Sequence, residues 1–140
     1  MEFSSTLIFA IVSMSIASGA EPVQLEGTTW RTSSGDSTIR IETCGAQTCG
    51  RILASSFKQG ESNLDTLNPN PSKRSRAIVG LVILSGLVRQ PDGSYKGGTI
   101  YNPEDGKTYR SELKLNHNGM LEVKGCIGPF CQTQVWIRSM

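Results

Sequence analysis

Histidine is nearly absent. The chain has 140 residues and one imidazole, His117, set in His117-Asn118-Gly119, which reads as a turn. A solvated turn histidine without a partner motif excludes His-dependent triads and most zinc-hydrolase schemes. There is no Gly-x-Ser-x-Gly elbow, no phosphate loop and no Cys-x-x-Cys pair. No cofactor and no metal are therefore expected. No long stretch repeats its apolar residues every 3.6 positions, and no internal repeat is visible, which sets helical bundles and solenoids aside. Neither sign of charge dominates: 14 basic against 12 acidic residues give a net +2. That surface is too mild for a nucleic-acid partner or a lipid-binding face.

One apolar run stands out, Leu7-Ile8-Phe9-Ala10-Ile11-Val12, and it ends in small residues, with Ser18-Gly19-Ala20 before Glu21-Pro22. Small residues at −3 and −1 after such a run describe a secretory signal cleaved after Ala20, although its n-region has no Lys or Arg. The alternative is a membrane anchor, which needs about 20 predominantly apolar residues. Ser13, Ser15, Ser18 and Gly19 interrupt this one. The expected organisation is a signal peptide at 1–20 and one domain at 21–140, placed in the periplasm or outside the cell and not membrane-spanning once cleaved. Losing Glu2 raises the net charge to +3.

Export gives the four cysteines meaning. Cys44, Cys49, Cys126 and Cys131 form two Cys-x4-Cys pairs. In an oxidising compartment an even count reads as a disulfide framework. Of the three connectivities, the local one is favoured, Cys44–Cys49 and Cys126–Cys131. Four thiolates on zinc are the alternative, since the spacing suits a knuckle, but thiolates rarely persist outside the cytosol.

The rest of the chain consists of short β-branched runs between turn clusters, with 15 glycines. Such spacing points to a sandwich or barrel. Strands are expected at about 25–32, 38–43, 79–89, 94–101, 107–116 and 131–138, with two more around the hairpin turns. In 38–43, Ile39 and Ile41 face one way and Arg40 and Glu42 the other. Folding about Gly45-Ala46-Gln47-Thr48 sets Cys44 opposite Cys49, Glu42 opposite Arg51 and Ile41 opposite Ile52. Around His117-Asn118-Gly119, Leu115 opposes Leu121, Leu113 opposes Val123, Lys114 opposes Glu122 and Glu112 opposes Lys124. A one-residue shift would scramble both faces. The run 79–89 is apolar on both faces, which points to cover on both sides or to a bulge near Gly86; a kink is expected at Gly97-Gly98 and a bulge at Gly128-Pro129. The sum is an all-β fold: a single small antiparallel up-and-down barrel of about eight strands.

Residues 58–77 differ, being poor in apolar side chains and rich in Asn, Pro, Ser and charge. Ser62-x-x-Asp65 fits a capping box for one helical turn, which Pro69 and Pro71 would stop. A connection this long in a compact domain is usually functional or disordered. It would lie across a barrel mouth as a lid.

Several motifs together resemble a known family. They are Ile41-Glu42-x-Cys44-Gly45 with Cys49-Gly50-Arg51-Ile52, Asp65-x-x-Asn68-Pro69, and Arg74-x-Arg76-x-x-x-Gly80-Leu81. Further on stand Gly98-x-Ile100-Tyr101-Asn102-Pro103-Glu104-Asp105-Gly106-Lys107-Thr108-Tyr109, Val123-Lys124-Gly125-Cys126 and Cys131-x-Thr133-Gln134-x-Trp136-x-Arg138. The chain is similar, over nearly all of 26–138, to the uncharacterised bacterial exported family called domain of unknown function 2147. That resemblance implies a compact β-barrel-like fold in the bacterial envelope and implies no activity. Gly27-x-x-Trp30 also resembles the Gly-x-Trp of lipocalins, with one residue more, so no lipocalin ligand is carried over.

The candidate ligand-binding residues are Asp65, Asn68, Arg74, Arg76, Tyr101 and Tyr109. Arg74 and Arg76, with Lys73, form a basic run that either faces solvent or forks onto an anion. Tyr101, Tyr109, Trp30 and Trp136 serve either as core or as ligand wall. Three functions follow. A binding module would hold a small amphipathic or anionic ligand in the barrel. A filled barrel would act through its surface as an envelope interaction protein. A carboxylate-dependent hydrolase would need Asp65, Glu104 and Asp105 to converge. No catalytic residue is assigned, and no enzyme activity is expected.

Overall fold

The computed structural model describes Ala10, residues 24–57 and residues 62–139. The expected leader and its cleavage point, Ala10 aside, lie outside the described residues. Eight strands follow in order: β1 (Thr29–Arg31), β2 (Ser37–Cys44), β3 (Gln47–Ser55), β4 (Val82–Arg89), β5 (Tyr95–Asn102), β6 (Lys107–Leu115), β7 (Leu121–Ile127) and β8 (Phe130–Ser139). Each pairs antiparallel with the next, and β1 closes onto β8. Closure satisfies the edges that an open sheet would leave bare. This is the up-and-down barrel that the turn spacing implies.

The β6–β7 hairpin has the expected register. Leu115 faces Leu121, Leu113 faces Val123, Lys114 faces Glu122 and Glu112 faces Lys124. Gly119 takes the left-handed conformation (φ 77°) that its three-residue loop requires. Asn116 Oδ1 accepts from the Asn118 and Met120 amides and fixes that loop.

Both local disulfides are formed, and no described cysteine is free. The β2–β3 register nevertheless differs from the expected one. Ile39 faces Ile52, Ile41 faces Gly50, Glu42 faces Cys49 and Cys44 faces Gln47. The turn is tighter than expected: Gly45 at φ 63° closes a two-residue Gly45-Ala46 loop. A shift of two keeps every side chain on its face. Cys44 and Cys49 therefore bond diagonally, with Cα atoms 5.8 Å apart. Glu42 still reaches Arg51, at 3.4 Å. Gly50 has a packing reason, because a Cβ there would lie 2.8 Å from Leu84 Cδ1. In β7–β8, Cys126 directly opposes Cys131, with Cα atoms 4.1 Å apart, and Gly128-Pro129 is a two-residue turn rather than a bulge.

The kink expected at Gly97-Gly98 is a register shift between Tyr95 and Gly98 against β6. The irregularity expected near Gly86 falls in the β3–β4 pairing, which shifts on either side of Gly50. Strand β1 is shorter than expected because residues 25–28 turn back over one end of the barrel. There the Leu25 amide donates to the Tyr95 hydroxyl (3.2 Å), Thr28 Oγ1 donates to Leu25 O (2.5 Å) and Trp30 Nε1 donates to Thr28 Oγ1 (2.7 Å).

Below this plug the core holds Trp30, Tyr95, Leu113 and Leu121, fully buried together with Leu25. Glu26 accepts from Thr48 Oγ1 (2.7 Å) and from the Tyr95 hydroxyl (3.0 Å). Burial alone would raise the Glu26 pKa, but these hydrogen bonds and Arg89 together bring it below the usual carboxylate value. This end is closed.

Candidate functional site

The other end is hollow. It is bounded by the β1–β2, β5–β6 and β7–β8 turns and by the long β3–β4 connection. Between them a cavity of about 370 Å³ opens to solvent. Ile39, Ile52, Ile83, Ile100, Val123 and Trp136 form an apolar well. Ser34, Asn102, Glu104, Asp105, Gln132 and Gln134 add polar groups around it. An apolar well with a few polar groups is the usual composition of a small-molecule pocket, and this one falls at the small end of the roughly 300–1,000 Å³ range.

One inward position on the cavity wall is a glycine. Gly125 of β7 lines the cavity, and the nearest atoms to a Cβ there would be Tyr109 Cβ at 3.5 Å and Ile100 Cγ2 at 3.7 Å. Its partner on β6 is Ser111, which is buried. Ser111 Oγ has no hydrogen-bond partner among the described residues.

The β3–β4 connection leans against the β5–β6 side of the mouth as a strap. It does not contain the helical turn expected at Ser62-x-x-Asp65. Ser62 Oγ accepts from the Leu64 amide, Leu64 bridges Ala77, and the Asp65 amide donates to Arg76 O (2.9 Å). Among the described residues of this connection the one short helix is a 3-10 turn, Pro71–Lys73, capped by Asn70 Oδ1 on the Ser72 amide. Proline starts it instead of stopping the earlier turn. Asp65 is unavailable as a cap because its carboxylate points inward.

That carboxylate is fully buried, at 0% exposure, and organises the strap. Oδ1 accepts from the Tyr101 hydroxyl at 2.5 Å. Oδ2 accepts from Asn68 Nδ2 at 2.8 Å and from Arg76 Nε at 3.0 Å. The Arg76 guanidinium also lies over the Tyr101 ring, 5.9 Å from its centroid. Burial, with the hydrogen bond to Asp65 and its charge, pushes the Tyr101 pKa up to about 12. Gly106 (φ 70°) lets the 102–106 turn press on the strap: a Cβ there would sit 2.0 Å from Leu67 O.

Of the six candidates, Tyr101 and Tyr109 line the cavity. Asp65, Asn68 and Arg76 stand behind Tyr101 and brace it. Arg74 Nε donates to Asn68 O at 2.8 Å and holds the strap's own backbone. Tyr109 donates its hydroxyl to Asp105 Oδ2, which raises the Tyr109 pKa. Asp65 has both oxygens engaged by structural partners, so it offers little to a hydrolytic scheme. Neither arginine lines the cavity. The sequence allowed a ligand within the barrel but left open whether the interior is hollow, and it did not single out Gly125, which lines the well. The available signal was a glycine at an inward position of β7.

Residues 28–138 match the model of a family described as "uncharacterized protein conserved in bacteria (DUF2147)". The chain belongs to this family. A solved structure similar to this DUF2147 chain comes from the human pathogen Helicobacter pylori, and that protein is described as belonging to the lipocalin family. The two share 30% identity over 84% of each chain, with a TM-score of 0.71. No curated protein matches the DUF2147 chain. At its closed end Arg138 lies over the Trp30 ring, 5.6 Å from the centroid. Among the described residues no helix is long and apolar enough to cross a membrane.

Proposed function

We propose that this protein is an exported binding protein of the bacterial envelope that holds one small amphipathic molecule in the open end of its barrel. The observation that carries this reading is the 370 Å³ cavity, apolar within and lined at its mouth by polar side chains together with the exposed Ile127 and Phe130. The likeness to a protein described as a lipocalin supports it. Export is supported by the two disulfides and by the leader-like residues 1–20. A filled barrel acting only through its surface fits this interior less well. An anionic ligand gains nothing from Arg74 and Arg76, whose guanidinium groups turn to Asn68 and Asp65.

Native mass spectrometry of the protein isolated from its own cell envelope tests both parts. The expected result is a mature chain starting at Glu21, two disulfides, and a single small-molecule adduct lost on denaturation. A chain that remains bare across gentle preparations contradicts the binding reading. A reduced chain retaining residues 1–20 contradicts export.

A further inference from the structure

Charge is sorted at the mouth of the cavity. Glu104 and Asp105 are lining residues, and no Lys, Arg or His is among the described lining residues. Three nearby arginines are turned to other oxygens, Arg76 to Asp65, Arg74 to Asn68 O and Arg110 to Gly128 O, while Lys107 at the foot of the 102–106 turn is exposed and is not a lining residue. Asp105 accepts from the Tyr109 hydroxyl and the Lys107 amide. The Glu104 carboxylate has no hydrogen bond or ion pair among the described residues. Lys58 and Glu61 lie outside the described residues. Tyr101 and Tyr109 supply aromatic rings beside these carboxylates, the partners an ammonium group prefers.

We propose that the cavity selects an amphipathic amine, with the apolar body in the Ile39–Ile52–Trp136 well and the ammonium at the mouth between Glu104, Asp105 and the two tyrosine rings. This rests on the binding reading above and names its ligand class. A carboxylate ligand of the same length would bring a third negative charge to a mouth whose described lining residues include no cation. Glu104 and Asp105 are both exposed, so each contributes modestly. Each attracts a cation and repels an anion, so the contrast between the two ligand types counts both effects.

The test uses three probes with ten-carbon chains, decyltrimethylammonium and decanoate below their micellar concentrations and decanol below its solubility limit, titrated calorimetrically into the oxidised mature chain. The ammonium probe is expected to bind about tenfold tighter than decanoate, with decanol between them. The preference should shrink as salt is raised. In the double variant Glu104→Gln with Asp105→Asn it should nearly vanish while decanol affinity holds. Decanoate binding as tightly as the ammonium, or a preference that survives the double variant, overturns the amine reading. Equal binding of all three would do so while leaving the cavity reading intact. Binding of none would remove both.

Discussion

Asp65→Ala should free the strap. The wild-type carboxylate is fully buried and accepts three hydrogen bonds, from Tyr101 at 2.5 Å, Asn68 at 2.8 Å and Arg76 at 3.0 Å. Bonds to a charged acceptor each contribute about 1.5–3 kcal/mol, but the losses do not simply add. The Arg76 side chain is 39% exposed and can rehydrate once released, and the half-buried Tyr101 hydroxyl can do so in part. Buried Asn68 cannot, and its amide is left unpaired. The expected total is about 3 kcal/mol, with Asp65→Asn costing less because one oxygen still accepts. Urea unfolding gives the total, and hydrogen exchange says where it is lost. Protection should fall first at the Asp65, Asn68 and Ile78 amides, all bonded within the strap, while the β6–β7 amides hold. A cost below about 1 kcal/mol, or protection lost evenly around the barrel, would refute the view that this carboxylate organises the strap.

Three further outcomes follow from the same geometry. Tyr101 keeps its proton in the fold up to a pKa of about 12, against 10.0 for an ordinary tyrosine. Its contribution is therefore complete below pH 10, is lost as pH rises toward 12, and comes to about 2 kcal/mol once solvent screening is allowed for. Tyr101→Phe should flatten that window in alkaline denaturation, and an unchanged slope would count against the Asp65 contact. Gly98→Ala should cost about 2–3 kcal/mol, because its Cβ would meet Ser85 O at 2.4 Å. Gly125→Ala meets only ordinary contacts and should stabilise by about 0.5 kcal/mol, so equal urea midpoints for the two variants would contradict both packing descriptions. Removing either disulfide by paired Cys→Ala changes should cost about 2 kcal/mol in the chain-entropy model for so short a loop. A variant as stable as the parent in urea would count against that role.

The barrel was legible because its hairpins alternate on both faces. At β6–β7, apolar and charged pairs both select one register, and the fold adopts it. At β2–β3 the same logic was two residues out. Side chains repeat every two positions along a strand, so a shift of two leaves the facial pattern unchanged, and only the turn at Gly45 distinguishes the alternatives. The local disulfide pairing survives because diagonal and direct neighbours are both within reach. Tyr101, Asp65, Asn68 and Arg76 were named together, and they do converge. Their arrangement was not readable, because a capping Asp and a buried acceptor Asp share the same local spacing. Nor was the well, since a hollow depends on what residues such as Gly125 omit from the interior across several strands.

The hollow end is the central claim, and one titration addresses it most directly. N-phenyl-1-naphthylamine brightens in an apolar pocket, and it can be added to the native chain and to Gly125→Leu. That leucine would grow from the cavity wall into its space without backbone strain at the position. The account predicts saturable one-to-one binding by the native protein and at least about a tenfold loss in the variant, with both chains equally folded. Equal binding by the two, or none by the native chain, would contradict it.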